Sequence, residues 1–269
     1  MDKRTDLRSA IASLHEGDSV ALGGMTLYRR PVAAALALAA AKKRGLEIIC
    51  LTGGIETDLL IGAGCVRTLR SCYTGLEIVG LAPHYTRAVQ NSSITLIEET
   101  EYTLSYGLQA ASMRVPFLPM LGALARTDIL TVRPDLKQFE CPITGQNLIA
   151  VPALEIDVAI IHVTAADHAG NCNLQGQLAF DPYLPTVAKL TIVTAEHIVD
   201  TEDLMTMRGG IQIPGMFVDH VVPAKGGSLP TSCFPKSKLD LAGILDYADA
   251  CNDSVSWQQW LTVATEAYQ

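Results

Sequence analysis

The sequence predicts an α/β domain built on an open, mostly parallel sheet flanked by helices. Three observations point there. Short apolar runs alternate with segments of helical period along most of the chain, the order that a parallel sheet with crossover helices imposes. The runs at 148–151, 158–163 and 190–194 are nearly continuous in apolar residues, as strands covered on both faces are. Hydrophobic residues make up 49% of the 269 and charged residues 18%, ample for a core and far from the composition of a disordered chain.

Residues 6–15 place Leu7, Ile11 and Leu14 on one helical face. A short buried strand, 19–22, runs into Gly23-Gly24, and after Arg29-Arg30-Pro31 an Ala-rich helix extends to residue 44. Pro31 suits a helix start, and Gly45 a helix stop behind Lys42-Lys43-Arg44, whose charges complement the helix dipole. The pattern repeats with a strand at 46–51, Gly53-Gly54 and a helix at 57–63. Strands at 66–71, 76–79 and 94–97 and helices at 83–90 and 99–113 follow, the last closed by Pro116 and Pro119. Residues 120–147, with Pro134, Pro142 and Gly145, predict a long irregular excursion, a lid or a subunit contact. Strands at 148–151, 158–163, 190–194 and 217–222 restore the alternation. A Pro/Gly/Ser/Lys-rich loop, 223–238, leads to a C-terminal helical segment at about 239–269. No internal repeat or composition break divides the chain, so residues 1–269 read as one domain.

Composition excludes several function classes. A net charge of −8 argues against a nucleic-acid surface, which needs a basic stripe. No window of 18 uninterrupted apolar residues exists, so no membrane span is expected. Charges at Asp2, Lys3, Arg4, Asp6 and Arg8 interrupt any signal-peptide stretch. Seven cysteines without a C-x-x-C pair predict reduced thiols in a cytoplasmic protein, and no His/Cys/Asp spacing makes a metal site. Neither glycine-rich turn forms a dinucleotide fingerprint or a P-loop, which argues against a dehydrogenase or NTPase and against a permanently bound cofactor.

The candidate site is the turn from Gly23 to Pro31. Two glycines permit positive φ and close approach of a ligand to the backbone. The helix start beyond them offers free amides to an anion, and Arg29 and Arg30 add bidentate forks suited to a carboxylate. Gly23 and Gly24 amides can meet a thioester oxygen, as an oxyanion hole requires, and Gly53-Gly54 can line the same pocket. The same run also reads as a tight strand-to-helix turn with a solvated arginine pair. His162, ending an apolar strand, reads as a structural hydrogen-bonding group. The Asp167-His168-Ala169-Gly170-Asn171 run reads as a shaped turn.

Several segments in order carry a resemblance: Gly23-Gly24 with Arg30-Pro31, Leu59-Leu60-Ile61-Gly62-Ala63-Gly64, the strand 154–163 with its Asp167–Asn171 turn, Ile192–Val199, and Ile213-Pro214-Gly215-Met216-Phe217. Together they resemble the α-type subunit of class I CoA-transferases, nearest the glutaconate branch, over about residues 5–245. The resemblance implies a CoA-transferase-like open sheet, a coenzyme A thioester as substrate and a homologous β-type partner in a heterodimer or heterotetramer. In that family the partner's glutamate attacks the acyl-CoA and becomes a glutamyl-CoA thioester. That glutamate precedes a glycine, whereas the comparable segment here, Leu51-Thr52-Gly53-Gly54-Ile55-Glu56, has none before its glycines. The chain therefore resembles the half without the nucleophile, acting on a small, carboxylated acyl-CoA. The segment Glu98–Leu108 also resembles the α-type half of a steroid-ring CoA-thioester hydrolase, with Glu101 at the position of its proposed base. That leaves a ring-opening hydrolase or a glutaconyl-type decarboxylase open. A non-catalytic stabilising subunit is a further reading. Helix capping by Glu98, Glu99 and Glu101 is the structural alternative for Glu101.

Overall fold

The computed structural model describes residues 1–268. Gln269, the end of the expected C-terminal helical segment, lies outside the described residues. Strands β1 (Ser19–Leu22), β2 (Leu46–Gly53), β3 (Val66–Thr74) and β4 (Thr95–Glu98) pair in parallel in chain order. Helices α1 (Leu7–Ala12), α2 (Val32–Ala40), α3 (Ile55–Gly62), α4 (Pro83–Gln90) and α5 (Glu101–Ser112) precede and connect them. Asp6 caps α1 by accepting from the Ser9 amide, and Thr100 and Thr103 form a reciprocal capping box on α5.

An antiparallel sheet follows. Strands β5 (Phe117–Leu121), β6 (Lys137–Glu140) and β7 (Asn147–Pro152) pair in the order β5-β7-β6, with the single-turn helix α6 (Ile129–Val132) between β5 and β6. The chain then re-enters the main sheet with β8 (Val158–Ala166), the short antiparallel β9 (Cys172–Asn173), β10 (Leu190–Ile198) and β11 (His220–Pro223). Helices α7 (Leu184–Val187) and α8 (Thr201–Thr206) lie among them, and α9 (Leu241–Ala250) and α10 (Ser254–Thr265) close the chain.

Strand order across the main sheet is β11-β10-β8-β1-β2-β3-β4, with β9 attached to β8. From β1 the chain steps outward through β2 to β4, and from β8 it steps the opposite way. The reversal between β1 and β8 is a topological switch point, where a crevice opens at the carboxyl ends of the strands. Neighbouring residues face opposite cores: Ile48 and Ile160 pack on one side with Leu38, Leu59 and Trp257, and Ile49 and Ile161 on the other with Leu104 and Leu108. All nine residues of β8 are buried, which explains its unbroken apolar run.

Five expectations change. Residues 76–79 are not a strand but a 3₁₀ turn, Glu77–Val79, because the Leu76 amide bonds the Gly80 carbonyl and the chain folds back on itself. The 120–147 excursion is ordered by the antiparallel sheet, and 148–151 belongs to that sheet rather than to the parallel one. Pro119 is tolerated there because β5 is an edge strand. Helix α2 stops at Ala40, and the last element of the sheet splits into a 3₁₀ turn, Gly215–Phe217, and β11.

At the amino ends of β1 and β8, Asp157 accepts from the Ser19 amide and hydroxyl, both at 2.9 Å, and from Lys189 at 2.7 Å. These bonds, with Lys189 foremost, lower its pKa to about 2. A depressed carboxyl contributes stability above its unfolded pKa and loses it as pH falls through about 2. Asp157→Asn should lower stability at neutral pH by less than about 1 kcal/mol, because solvent screens the pair. It should also flatten the decline in stability between about pH 4 and pH 2. Urea titrations across that range read both effects, and an unchanged slope refutes the assignment.

Candidate active site

Both Gly-Gly turns end strands beside the switch point, and the structure packs them against each other. The Gly23 amide continues the sheet by donating to the Ile160 carbonyl at 2.9 Å. Gly24 has φ +78°, and a Cβ there would lie 2.4 Å from the Arg29 carbonyl oxygen, so only glycine fits the turn. The Thr26 amide donates to the Thr52 carbonyl at 3.1 Å. A Cβ on Gly54 would meet the Thr26 carbonyl oxygen at 2.4 Å, so the second turn also depends on glycine for close approach. Gly53 is bounded in the same way by the Thr57 and Thr74 hydroxyls, each 3.0 Å from where its Cβ would stand.

Arg29 and Arg30 are neither solvated nor free. Both are fully buried. Arg29, at φ +50°, donates through Nη1 to Asp181 Oδ2 at 2.6 Å and to the His162 carbonyl at 3.0 Å, and through Nη2 to the Gln177 carbonyl at 2.7 Å. Arg30 pairs with Glu56 through Nη2 and donates to the Thr52 carbonyl at 3.3 Å. Burial works against the Arg30 charge, but Glu56 outweighs it and raises its pKa. Asp181 also accepts from the Gly24 amide at 2.8 Å. The expectations of a free guanidinium for a substrate carboxylate and of exposed Gly23 and Gly24 amides therefore need correction. Internal partners occupy all four groups, because charges and amides sealed from water require them.

The same crevice keeps several polar atoms without protein partners. Arg29 Nε, Arg30 Nε, Glu56 Oε2, Thr52 Oγ1 and Thr74 Oγ1 are buried and unbonded. Beside it, β8 and β10 carry a second network. His162 bonds Thr194 and Glu196, each at 2.9 Å, and Glu196 accepts from the Gly226 amide at 2.8 Å. Burial lowers the His162 pKa. A cleft of about 240 Å³ adjoins the first turn, lined by Gln175, Gly176, Arg208, Gln212 and Phe234. Tyr28 reaches its edge by donating to the Gln175 carbonyl.

Glu101 opens α5 and is exposed, whereas Glu99, two residues earlier, is buried. Glu99 joins Arg70 at 2.6 Å and Arg133 at 2.7 Å. Burial, with Cys50 and Glu101 adding to it, pushes the Cys72 thiol up to about 12. Sequence reading missed the roles of Asp181, Glu99 and Arg133. Asp181 stands in an aperiodic stretch with no local signal. A cue for the buried arginines was available, since they interrupt an otherwise small and apolar segment.

The crevice thus joins an open parallel sheet, two glycine turns and two buried arginines at the switch point, and neither turn forms a dinucleotide fingerprint or a P-loop. Residues 4–224 match the Coenzyme A transferase family, and the chain belongs to it. The A-type half of 3-oxoadipate CoA-transferase from Pseudomonas knackmussii is 34% identical over 84% of this chain and 80% of the relative. The IpdA subunit of the cholesterol ring-cleaving hydrolase of Mycobacterium tuberculosis is 30% identical, over 97% of this chain and 92% of the relative. Glutaconate coenzyme A-transferase from Acidaminococcus fermentans superposes with TM-score 0.90 at 28% identity, over 97% of this chain and 87% of that one. A variant of the decarboxylase AibA/AibB superposes with TM-score 0.86 at 30% identity, over 97% of this chain and all of the other. Within this heteromeric family the chain is of the A type. No described helix is long and apolar enough to cross a membrane.

If Asp181 neutralises Arg29 inside the protein, Asp181→Ala should cost about 3–5 kcal/mol, the usual result of stranding one half of a buried pair. Urea unfolding of the purified variant measures it. A loss under about 1 kcal/mol would mean that Arg29 is free to meet substrate.

Proposed function

We propose that this chain is the half of a heteromeric CoA-transferase that frames the acyl site, while a homologous β-type subunit supplies the nucleophilic glutamate. One observation carries the reading. The carboxylate of the Leu51–Glu56 segment, Glu56, is fully buried and paired with Arg30, so it has no path to a thioester. The nucleophile then comes from another chain. Its carboxylate oxygen attacks the acyl-CoA carbonyl and expels the CoA thiolate, leaving a mixed anhydride. The thiolate returns to the glutamyl carbonyl, releases the acid and leaves the glutamyl thioester for the next acceptor. A small dicarboxylic acyl group suits the reading, since 3-oxoadipate and glutaconate, named for two relatives, are dicarboxylates.

In this proposal Gly23, Gly24, Gly53, Gly54, Arg29 and Arg30 act as positioning residues that hold the crevice wall. The cleft beside Tyr28 offers Arg208, which is exposed and has a fork suited to the second carboxylate. The whole chain serves as one folding unit, and the β5–β7 sheet, with Phe117 and Leu121 exposed, serves as a subunit contact.

A second reading rests on Glu101. It is solvent-facing and unpaired among the described residues. A partner covering it would enclose a free carboxylate, a group suited to general-base work in a hydrolase or decarboxylase. Glu101→Gln in the co-purified complex separates the two. A transferase with the partner's nucleophile should keep turnover within about threefold. A base removed should cost about 10²-fold or more with assembly intact. Recovery of the tagged chain without a homologous subunit would overturn the shared-site proposal itself.

A further inference from the structure

Away from the crevice, α3, α4 and the end of α9 bring together Asp58, His84 and Cys251. One ligand atom from each lies within 4.8 Å of those from the other two. Asp58 is fully buried, yet no cation pairs with it among the described residues, whereas buried Glu56, Glu99, Asp181 and Glu196 each have an arginine or histidine. Buried Asp167 also lacks a cation but accepts four hydrogen bonds, from the Ala169 and Asn171 amides and the Asn171 and Thr201 side chains. Among the described residues Asp58 receives the Tyr247 hydroxyl and the Tyr85 amide, both at 2.6 Å. A buried carboxyl with so few partners is held neutral or binds a metal. His84 is the second observation. Its ring packs against Trp257 with centroids 4.2 Å apart, and its Nε2 is sealed from solvent without a hydrogen-bond partner. A cleft of about 350 Å³ opens on the group, lined by Gly62, Arg87, Asn252 and Ser254.

The other buried cluster, His162, Glu196 and Cys233, has no such unpartnered nitrogen, because both ring nitrogens and both carboxylate oxygens already have partners. We propose that Asp58, His84 and Cys251 bind a divalent transition metal of the zinc class, with the fourth position open to the cleft. A carboxylate oxygen, an imidazole nitrogen and a thiolate suit such a borderline cation, whereas magnesium and calcium take oxygen ligands. Two anionic ligands balance the charge of the ion. Cys251 lies beyond residues 4–224, which match the family, so the site joins a C-terminal element to the shared scaffold.

Proton balance gives the site a signature. Arg87 Nη2 donates to His84 Nδ1 at 3.0 Å, which leaves the ring proton on Nε2. Binding at Nε2 moves that proton to Nδ1, so exposed Arg87 must swing away, and the Cys251 thiol proton passes to solvent. Sequence spacing hides the site, since its three residues come from three distant helices.

The experiment is a cobalt(II) titration of the full-length chain, purified with any subunit that accompanies it. One equivalent should bind with a thiolate-to-cobalt charge-transfer band and four-coordinate d–d absorption, and zinc should displace it. Cys251→Ser should remove the band. His84→Ala should weaken binding at least about tenfold, since loss even of an outer-shell partner has that effect. Arg87→Ala should bind at least as tightly as the parent. If Cys251→Ser does not fold, the isosteric Asp58→Asn carries the test through its weakened cobalt affinity. No stoichiometric cobalt, or a band that survives Cys251→Ser, overturns the proposal.

Discussion

The two buried arginine–carboxylate pairs, Arg29–Asp181 and Arg30–Glu56, are the constraint on which the candidate site depends. They join segments far apart in the chain: the turn after β1, the start of α3 and the loop before α7. A buried pair gives little net stability, because desolvation offsets most of its Coulomb gain. Its effect is specificity of arrangement. With each guanidinium also bonded to backbone carbonyls, the turns have one sealed position, and substitution of either partner leaves a charge with no solvent to receive it.

That arrangement explains the glycines better than ligand approach does. Gly24 and Gly54 are needed because the Arg29 and Thr26 carbonyls occupy the space of a side chain. The amides first read as an oxyanion hole complete the sheet and bind Asp181. What remains unsatisfied is a set of side-chain atoms, among them Glu56 Oε2 and the Thr52 and Thr74 hydroxyls. A crevice wall with that pattern is rigid, polar inside and poor in exposed reactive groups. On the proposed reading, such a wall shapes a site whose chemistry comes from a facing subunit.

The parallel sheet was legible because its strands obey local rules. Continuous apolar runs such as 158–163 can be buried on both faces, and Gly-Gly after a strand marks a turn. Of the antiparallel sheet only the middle strand, near 148–151, was legible, because β5 contains Pro119 and β6 is four residues long with Phe139 as its one apolar residue, so neither carries a strand signature. At the candidate site, the environment of the arginines was not legible. A consecutive Arg-Arg pair looks solvated in isolation, and its burial is decided by Asp181, far along the chain. Glu99 and Glu101 show the same limit: neighbouring acids at one helix start, one enclosed by Arg70 and Arg133 and the other in solvent.

The division between Glu99 and Glu101 bears on how one scaffold supports several reactions. Glu99 is held by two guanidinium groups and the Thr103 hydroxyl, so its charge is neutralised and its position fixed. Glu101 begins the same helix with no such restraint among the described residues. What packs over the end of β4 and α5 therefore acts on Glu101 and leaves Glu99 unchanged. On the reading proposed above, the choice between transferase and hydrolase or decarboxylase chemistry turns on the contact between α5 and a second subunit, because this chain's interior is fixed by its ion pairs.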